Sequence, residues 1–194
     1  MAEHTPSVAQ EYLRGVYALT QDWYKSADNK AQLILTVDGA LVTFLTSAVL
    51  SNPNDLRVVL ALFGRDTWLL FIVMGAALLA SMISAICALW SRGYSERQMH
   101  KAFGEAHMDP SVASTYRPEF MGFFQHVAHL QPGPMSERLK TADVEFELQA
   151  LSHQLIRLSA NVARKHAWVN RAFACAAVAL GLFLAAGATY VRHV

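Results

Sequence analysis

Two apolar patterns share this chain: continuous runs of about 20 residues, and stripes that recur every three or four positions. The first run covers residues 31–51, directly after the polar cluster Asp28-Asn29-Lys30. The second covers 67–90, with Trp68 and Trp90 near its ends, and the third covers roughly 172–191. Each approaches the ~20 residues needed to cross a hydrocarbon core, so the pattern predicts three membrane-spanning helices. The stripes predict amphipathic helices between them. Val8, Tyr12, Val16, Leu19 and Trp23 lie four, four, three and four apart, which predicts a helix from Ser7 to Lys25 with Ser7 as its N-cap. That apolar face has two possible targets, the membrane interface or another cytosolic helix.

Residues 91–140 hold four of the six prolines, yet Phe120, Phe123, Phe124, Val127 and Leu130 predict a short amphipathic helix within Pro118–Leu130. From Thr141 onward there is no proline, and Val144, Leu148, Leu151, Leu155, Leu158 and Val162 form a heptad-like seam. This seam runs unbroken into the third apolar run and predicts one long helix, partly cytosolic and partly membrane-embedded. The resulting expectation is an all-α membrane protein. Its parts are a cytosolic helix (1–30), a span (31–51), a periplasmic loop (52–66), a second span (67–90), a cytosolic helical region (91–171) and a third span (172–191). The soluble stretches are expected to form a small cytosolic bundle.

Charge sets the orientation. Only 16% of the 194 residues are charged and 54% are hydrophobic, against roughly 25% charged in an average soluble domain. Lys and Arg number three before the first span and ten in 91–171, but two in 52–66 and one in the tail. The positive-inside bias predicts a cytoplasmic N-terminus and a periplasmic C-terminus in a multi-pass inner-membrane protein. The first residues lack the pattern of a cleaved signal, so the first span is expected to direct insertion itself. A net charge of +1 gives no case for a nucleic-acid surface.

Candidate chemistry is sparse. Asp38 lies about seven residues into the first span, where a charged carboxylate is costly. It reads as a pore or gate element, or as an interhelical hydrogen-bond partner or a shallow group near the headgroups. The second span carries a small-residue face of Gly75, Ala76, Ala77, Ala80, Ser81, Ser84 and Ala85, suited to close helix approach. Eight histidines include His126 and His129 three apart and His100 and His107 two turns apart, without a metal-site pattern. No metal and no catalytic residue is expected: there is no P-loop, GxGxxG or GxSxG, and an enzyme is disfavoured. Cys87 and Cys175 sit in apolar runs as small hydrophobes. Basic residues near the cytosolic surface (Lys30, Arg92, Arg97, Lys101, Arg157, Arg164, Lys165) either set topology and meet lipid phosphates or line a pocket for an anion.

Four segments in fixed order carry a resemblance: ADNKAQLILTVDGALV, the span end SAICALW, the connector EFMGFFQHVAHL and the closing run LQALSHQLIRLSANVARKHAWVNRAFACAAVALGLFL. With Asp28-x-Lys30-Ala31, the pair Phe123-Phe124 and the set Leu158, Asn161, Lys165, the chain from Asp22 to Ala185 resembles the transmembrane effectors of Pycsar antiphage systems. Ser91-Arg92 departs from the Pro-Arg-like end expected after the second span. The resemblance implies an antiphage effector that senses a cyclic pyrimidine nucleotide, cyclic UMP or cyclic CMP, made by a partner cyclase on infection. It further implies damage to the inner membrane and death of the cell before phage release. Residues 91–171 become the sensing region, and Asp28, Lys30, Arg92, Arg157, Asn161 and Lys165 become ligand or coupling candidates. No cofactor is implied beyond the nucleotide ligand; the lipid bilayer and a second copy of the chain are the expected partners. The alternatives are a ligand-independent small membrane toxin or transporter subunit, and a structural membrane partner for a soluble enzyme.

Overall fold

A computed structural model describes residues 7–51, 64–90 and 95–193. Among them the regular structure is helical throughout. The helices are α1 (Val8–Ser51), α2 (Arg65–Leu89), α3 (Glu96–Glu105), α4 (Phe124–Val127), α5 (Pro132–Lys140) and α6 (Val144–His193), with 3-10 turns at Ala113–Thr115 and Pro118–Phe120. Most of the expected 52–66 loop, and Arg92, lie outside the described residues.

The expected cytosolic helix and first span are one element. No proline interrupts the chain between Pro6 and Pro53, and α1 runs unbroken for 44 residues. Its start is a reciprocal cap: Ser7 N–H donates to Gln10 Oε1 (2.7 Å), and Gln10 N–H donates to Ser7 Oγ (3.3 Å). Helix α6 is likewise one element of 50 residues, as its lack of proline requires. Asp143 stands before it and accepts from Phe146 N–H at 2.8 Å.

The buried face of α1 corrects the expected stripe. Val8, Tyr12, Leu19 and Trp23 are exposed, while Gln10, Thr20, Ala27, Ala31, Ile34 and Asp38 are buried. With half-buried Leu13, Tyr17, Tyr24, Leu41 and Leu45, these positions alternate at three and four along the whole helix. The seam mixes Gln10, Thr20, the two alanines and Asp38 with large residues, so the repeat of Val8, Tyr12, Leu19 and Trp23 marks a neighbouring face, about 100° round the helix. On α6 the expected seam is half-buried or buried as read, and it continues through Lys165, Val169, Ala172, Ala179 and Ala186. Helix α2 follows the same rule through Thr67, Met74, Leu78, Ser81, Ala85 and Ala88. Such 3-4 alternation is the packing code of left-handed bundles.

The chain divides into two compact units, Met1–Tyr24 with Ser91–Val162 and Lys25–Trp90 with Ala163–Val194. In the first, Met99, Phe103, Met108 and Tyr116 form the core, with Phe120, Met121, Leu130 and Met135 packed against it. Tyr116 O–H donates to the Pro110 carbonyl (2.5 Å) and accepts from Gln131 N–H (3.1 Å), which fixes the proline-rich connector as ordered structure. The single helix expected within Pro118–Leu130 is instead a 3-10 turn followed by the one-turn α4. Pro118 opens the first turn, and Phe123 is extended between the two. Gly122 allows this path, because a Cβ there would overlap the Gln154 side chain. The most buried residue of α4 is His126, and Phe124 points outward. Helix α3 ends at Glu105, and His107 takes a left-handed backbone (φ 52°), so His100 and His107 do not share a helix face.

In the second unit, Ala27, Ala31, Ile34, Ala85, Ala88, Val169 and Ala172 form one core cluster, and Met74, Leu78 and Ala179 form another. Five of these ten side chains in the two clusters are in the first cluster and are alanine, so the backbones there approach closely.

Candidate functional site

The second unit holds a ladder of polar contacts between otherwise apolar helices. At one level Lys165 of α6 pairs with Asp28 of α1. The Lys165 side chain is 5% exposed and that of Asp28 27%, so one partner of the pair is desolvated and depends on the other. One core cluster further, Asp38 is buried, and Ser81 Oγ of α2 donates to its Oδ2 at 2.6 Å. The same hydroxyl lies 3.0 Å from the Ala172 carbonyl of α6. Asp38 and Ser81 thus join all three helices at one layer, the interhelical arrangement open to Asp38 from the sequence. A third contact sets Thr67 Oγ1 3.4 Å from Thr189 Oγ1. Hydrogen bonds of this kind hold helices in register where the hydrophobic effect between them is weak.

In the first unit Glu147 of α6 is the hub between two helices. Arg14 Nε of α1 donates to its Oε1 (2.8 Å), and Gln10 Nε2 donates to its Oε2 (2.7 Å). These donors hold the Glu147 carboxyl below its usual range, the hydrogen bond from Arg14 being the largest cause. A second cluster centres on His126. Arg157 Nη1 lies 3.2 Å from His126 Nε2, and the guanidinium stands 5.7 Å from the Phe123 ring centre. A guanidinium only donates, so His126 Nε2 accepts and the ring is neutral. Burial first, then the Arg157 charge, bring its pKa down to about 4.

Of the expected site residues, the structure joins Asp28 to Lys165 and places Arg157 on His126. Asn161 is half-buried on α6 and Lys30 is exposed on α1. Arg97 and Lys101 lie on α3, where Lys101 meets Glu105 at 3.7 Å on the surface. No group of three or more metal-ligating side chains forms among the described residues. Sequence reasoning passed over Gln10 and Glu147 and weighed His126 only with His129, as a metal ligand. The signal for Gln10 was its place on the three-four alternation that Thr20 and Ala27 continue. Nothing local marks His126, whose burial depends on Phe103 and Phe120 folding around it.

Helix class and composition narrow the type of protein. Among the described residues two helices are long and apolar enough to cross a membrane, Arg65–Leu89 and Val144–Thr189. The expected first span, 31–51, is the C-terminal part of α1; it is not one of these two, and its last side chains, 48–51, lie outside those described. The chain is therefore an all-α protein with at least two helices suited to a bilayer. Its sequence matches the Pycsar effector protein domain, PycTM, over residues 12–192. The chain belongs to that family and is an effector of antiphage defence. No curated protein and no solved structure matches it. Pycsar effectors act downstream of a cyclic nucleotide from a cyclase and are generally not enzymes.

Proposed function

We propose that this effector is switched on by a cyclic pyrimidine nucleotide, cyclic UMP or cyclic CMP, and then breaches the inner membrane. A partner cyclase supplies the nucleotide on infection, and the cell dies before phage is released. In this reading all three apolar runs span the membrane, the N-terminus is cytoplasmic and the C-terminus periplasmic. The active form is a homo-oligomer.

The observation that carries the membrane part is the inverted packing of the second unit. Its interior holds Asp38, Thr67, Ser81, Ser84 and alanines beside Ile34, Met74, Leu78 and Val169, while Leu33, Val37, Phe44, Leu69, Ile72, Leu79, Ile83, Phe173 and Leu184 face outward. Water would drive the opposite sorting. Lipid tolerates large apolar groups outside and rewards small, hydrogen-bonded contacts inside. The same sorting extends to α1, which supports the first span, 31–51, as a crossing beside the other two. Asp38 is the proposed gate: its layer with Ser81 and Ala172 seals the resting bundle, and repacking of that layer opens a leak. Helices α1 and α6 carry the signal, because each contributes residues to both compact units.

Purified protein in liposomes, loaded with dye, tests this directly. Cyclic UMP or cyclic CMP is expected to release dye, and cyclic AMP is not. Retention of dye with every nucleotide overturns the ligand-gated reading, and release without any nucleotide favours the ligand-independent toxin.

A further inference from the structure

We propose that the nucleotide binds in a cavity of the first unit, between α1, the end of α5 and the start of α6, with Arg14 as its phosphate contact. The inference rests on the nucleotide-sensing reading above and adds the site. The cavity measures about 570 Å³, inside the ~300–1,000 Å³ range of small-ligand sites. Its walls are Met121, Leu139, Phe146 and Leu151, and its polar groups are Gln10, Asp143 and Glu147. Of the lining residues, Leu139, Ala142 and Asp143 are exposed.

The chemistry of the walls matches the parts of a cyclic pyrimidine mononucleotide. Phe146 offers a ring for the base, and Arg138 already braces it from 4.5 Å, with its Nε on the Tyr116 carbonyl at 3.2 Å. Aromatic platforms of this kind hold single bases by stacking. The two carboxylates, Asp143 and Glu147, accept hydrogen bonds and so suit a base edge that donates. Cytosine presents such an edge in its exocyclic amino group. The single negative charge of the cyclic phosphate needs a cation, and Arg14 is in contact with the lining residue Glu147. Arg14 is half-exposed and its guanidinium suits phosphate oxygens. Binding exchanges its partner: Arg14 moves from Glu147 to phosphate, and Glu147 turns to the base. That exchange acts on a contact between α1 and α6, the two helices assigned above to carry the signal. Among the described residues expected from the sequence, Asp28, Lys30, Arg157, Asn161 and Lys165 do not line this cavity.

The test is equilibrium dialysis of the full chain in detergent micelles against labelled cyclic CMP and cyclic UMP. Wild type is expected to bind cyclic CMP more tightly than cyclic UMP. Arg14→Gln, Phe146→Leu and the cavity-filling Ala150→Trp are each expected to weaken binding by about tenfold or more. Phe146→Leu keeps an apolar filling, so it reads loss of stacking apart from loss of fold, and helical content by circular dichroism is compared for every variant. Wild-type affinity in folded variants overturns this site while leaving nucleotide sensing intact. A wild type that binds neither nucleotide overturns the sensing reading and this site with it. Tighter binding of cyclic UMP overturns the assignment of the carboxylates to the base edge.

Discussion

Single residues here carry charge in places where charge must be matched. Lys165 is a lysine with 5% side-chain exposure, held by Asp28. Removing one member of a buried pair strands the other, at a typical cost of about 3–5 kcal/mol, less where the partner keeps some solvent. Asp28 keeps some, so Lys165→Ala is expected to lower the unfolding free energy by about 2–3 kcal/mol. Adding Asp28→Leu to Lys165→Met is expected to recover most of that loss, read as the detergent denaturation midpoint of single and double variants. His126 makes a different prediction. Its folded pKa, about 4, lies below the ordinary 6.5. The unfolded chain therefore takes up a proton at a pH where the folded chain does not. Stability of the first unit falls as pH drops from 6.5 toward 4, and below 4 this contribution levels off. Replacing His126 with Gln is expected to flatten the slope of melting temperature between pH 7 and pH 5. Glu147 has its folded pKa depressed below 4.5, so its contribution is present above pH 4.5 and fades only as pH falls through the lower folded value. The two groups therefore separate on a pH series.

At the scale of the element, three helices use the same three-four alternation but fill it differently. The α1 seam places Ala27, Ala31 and Asp38 inward, and α6 sets Val169 and Ala172 opposite. Ala172 is fully buried, and its carbonyl lies against Ser81. A larger side chain there has no room to enter without moving two helices, and overpacking typically costs about 1–3 kcal/mol. Ala172→Leu is expected to destabilise by that amount and to uncouple Asp38 from Ser81. Leu180→Ala, on the exposed face of the same helix, is expected to leave the melting temperature in micelles within a degree or two of wild type, since surface changes seldom exceed about 0.5 kcal/mol. The length of α6 was legible because proline is absent from 144–193, whereas the pattern on α1 predicts a helix ending at Lys25 and a separate span from 31, although 8–51 also lacks proline. Helix face was legible on α6, where the first half of the seam is built from leucines, and in part on α2, where Ser81, Ser84 and Ala85 of the expected small-residue face are buried but Ala76 and Ala80 are exposed. On α1 the large side chains Tyr12, Leu19 and Trp23 lie on the exposed side, and the buried one interleaves Gln10, Thr20, Ala27, Ala31 and Asp38 with larger residues such as Ile34.

For the whole molecule, the bias of Lys and Arg toward the N-terminal segment and 91–171 sets the topology proposed above. An alkaline phosphatase fused after Val194 is expected to be active, because that enzyme needs the periplasm, and a fluorescent protein fused before Met1 is expected to glow in the cytoplasm. Inactive phosphatase at the C-terminus reverses the orientation or removes one span. In the proposed reading the outward apolar residues of the second unit face lipid. The cavity of the first unit joins Gln10, Leu139 and Glu147, which no motif had marked, to Val144 and Leu151 of the expected seam, and these come from three separate stretches.

Composition, the absence of proline and the order of the apolar runs determined by themselves that this chain is helical and suited to a membrane, and the matched segments carried its family. These properties depend on local sequence: on backbone donors, on chain length and on the cost of placing charge in lipid. Tertiary structure decided which face of α1 is buried, that the aromatic connector breaks into short turns around His126, and that Asp38 meets Ser81. It also decided that Glu147, rather than the basic residues near the membrane, gathers Arg14 and Gln10. Each of those outcomes depends on partners distant in sequence, and burial of a small or polar residue leaves no mark until its partner arrives.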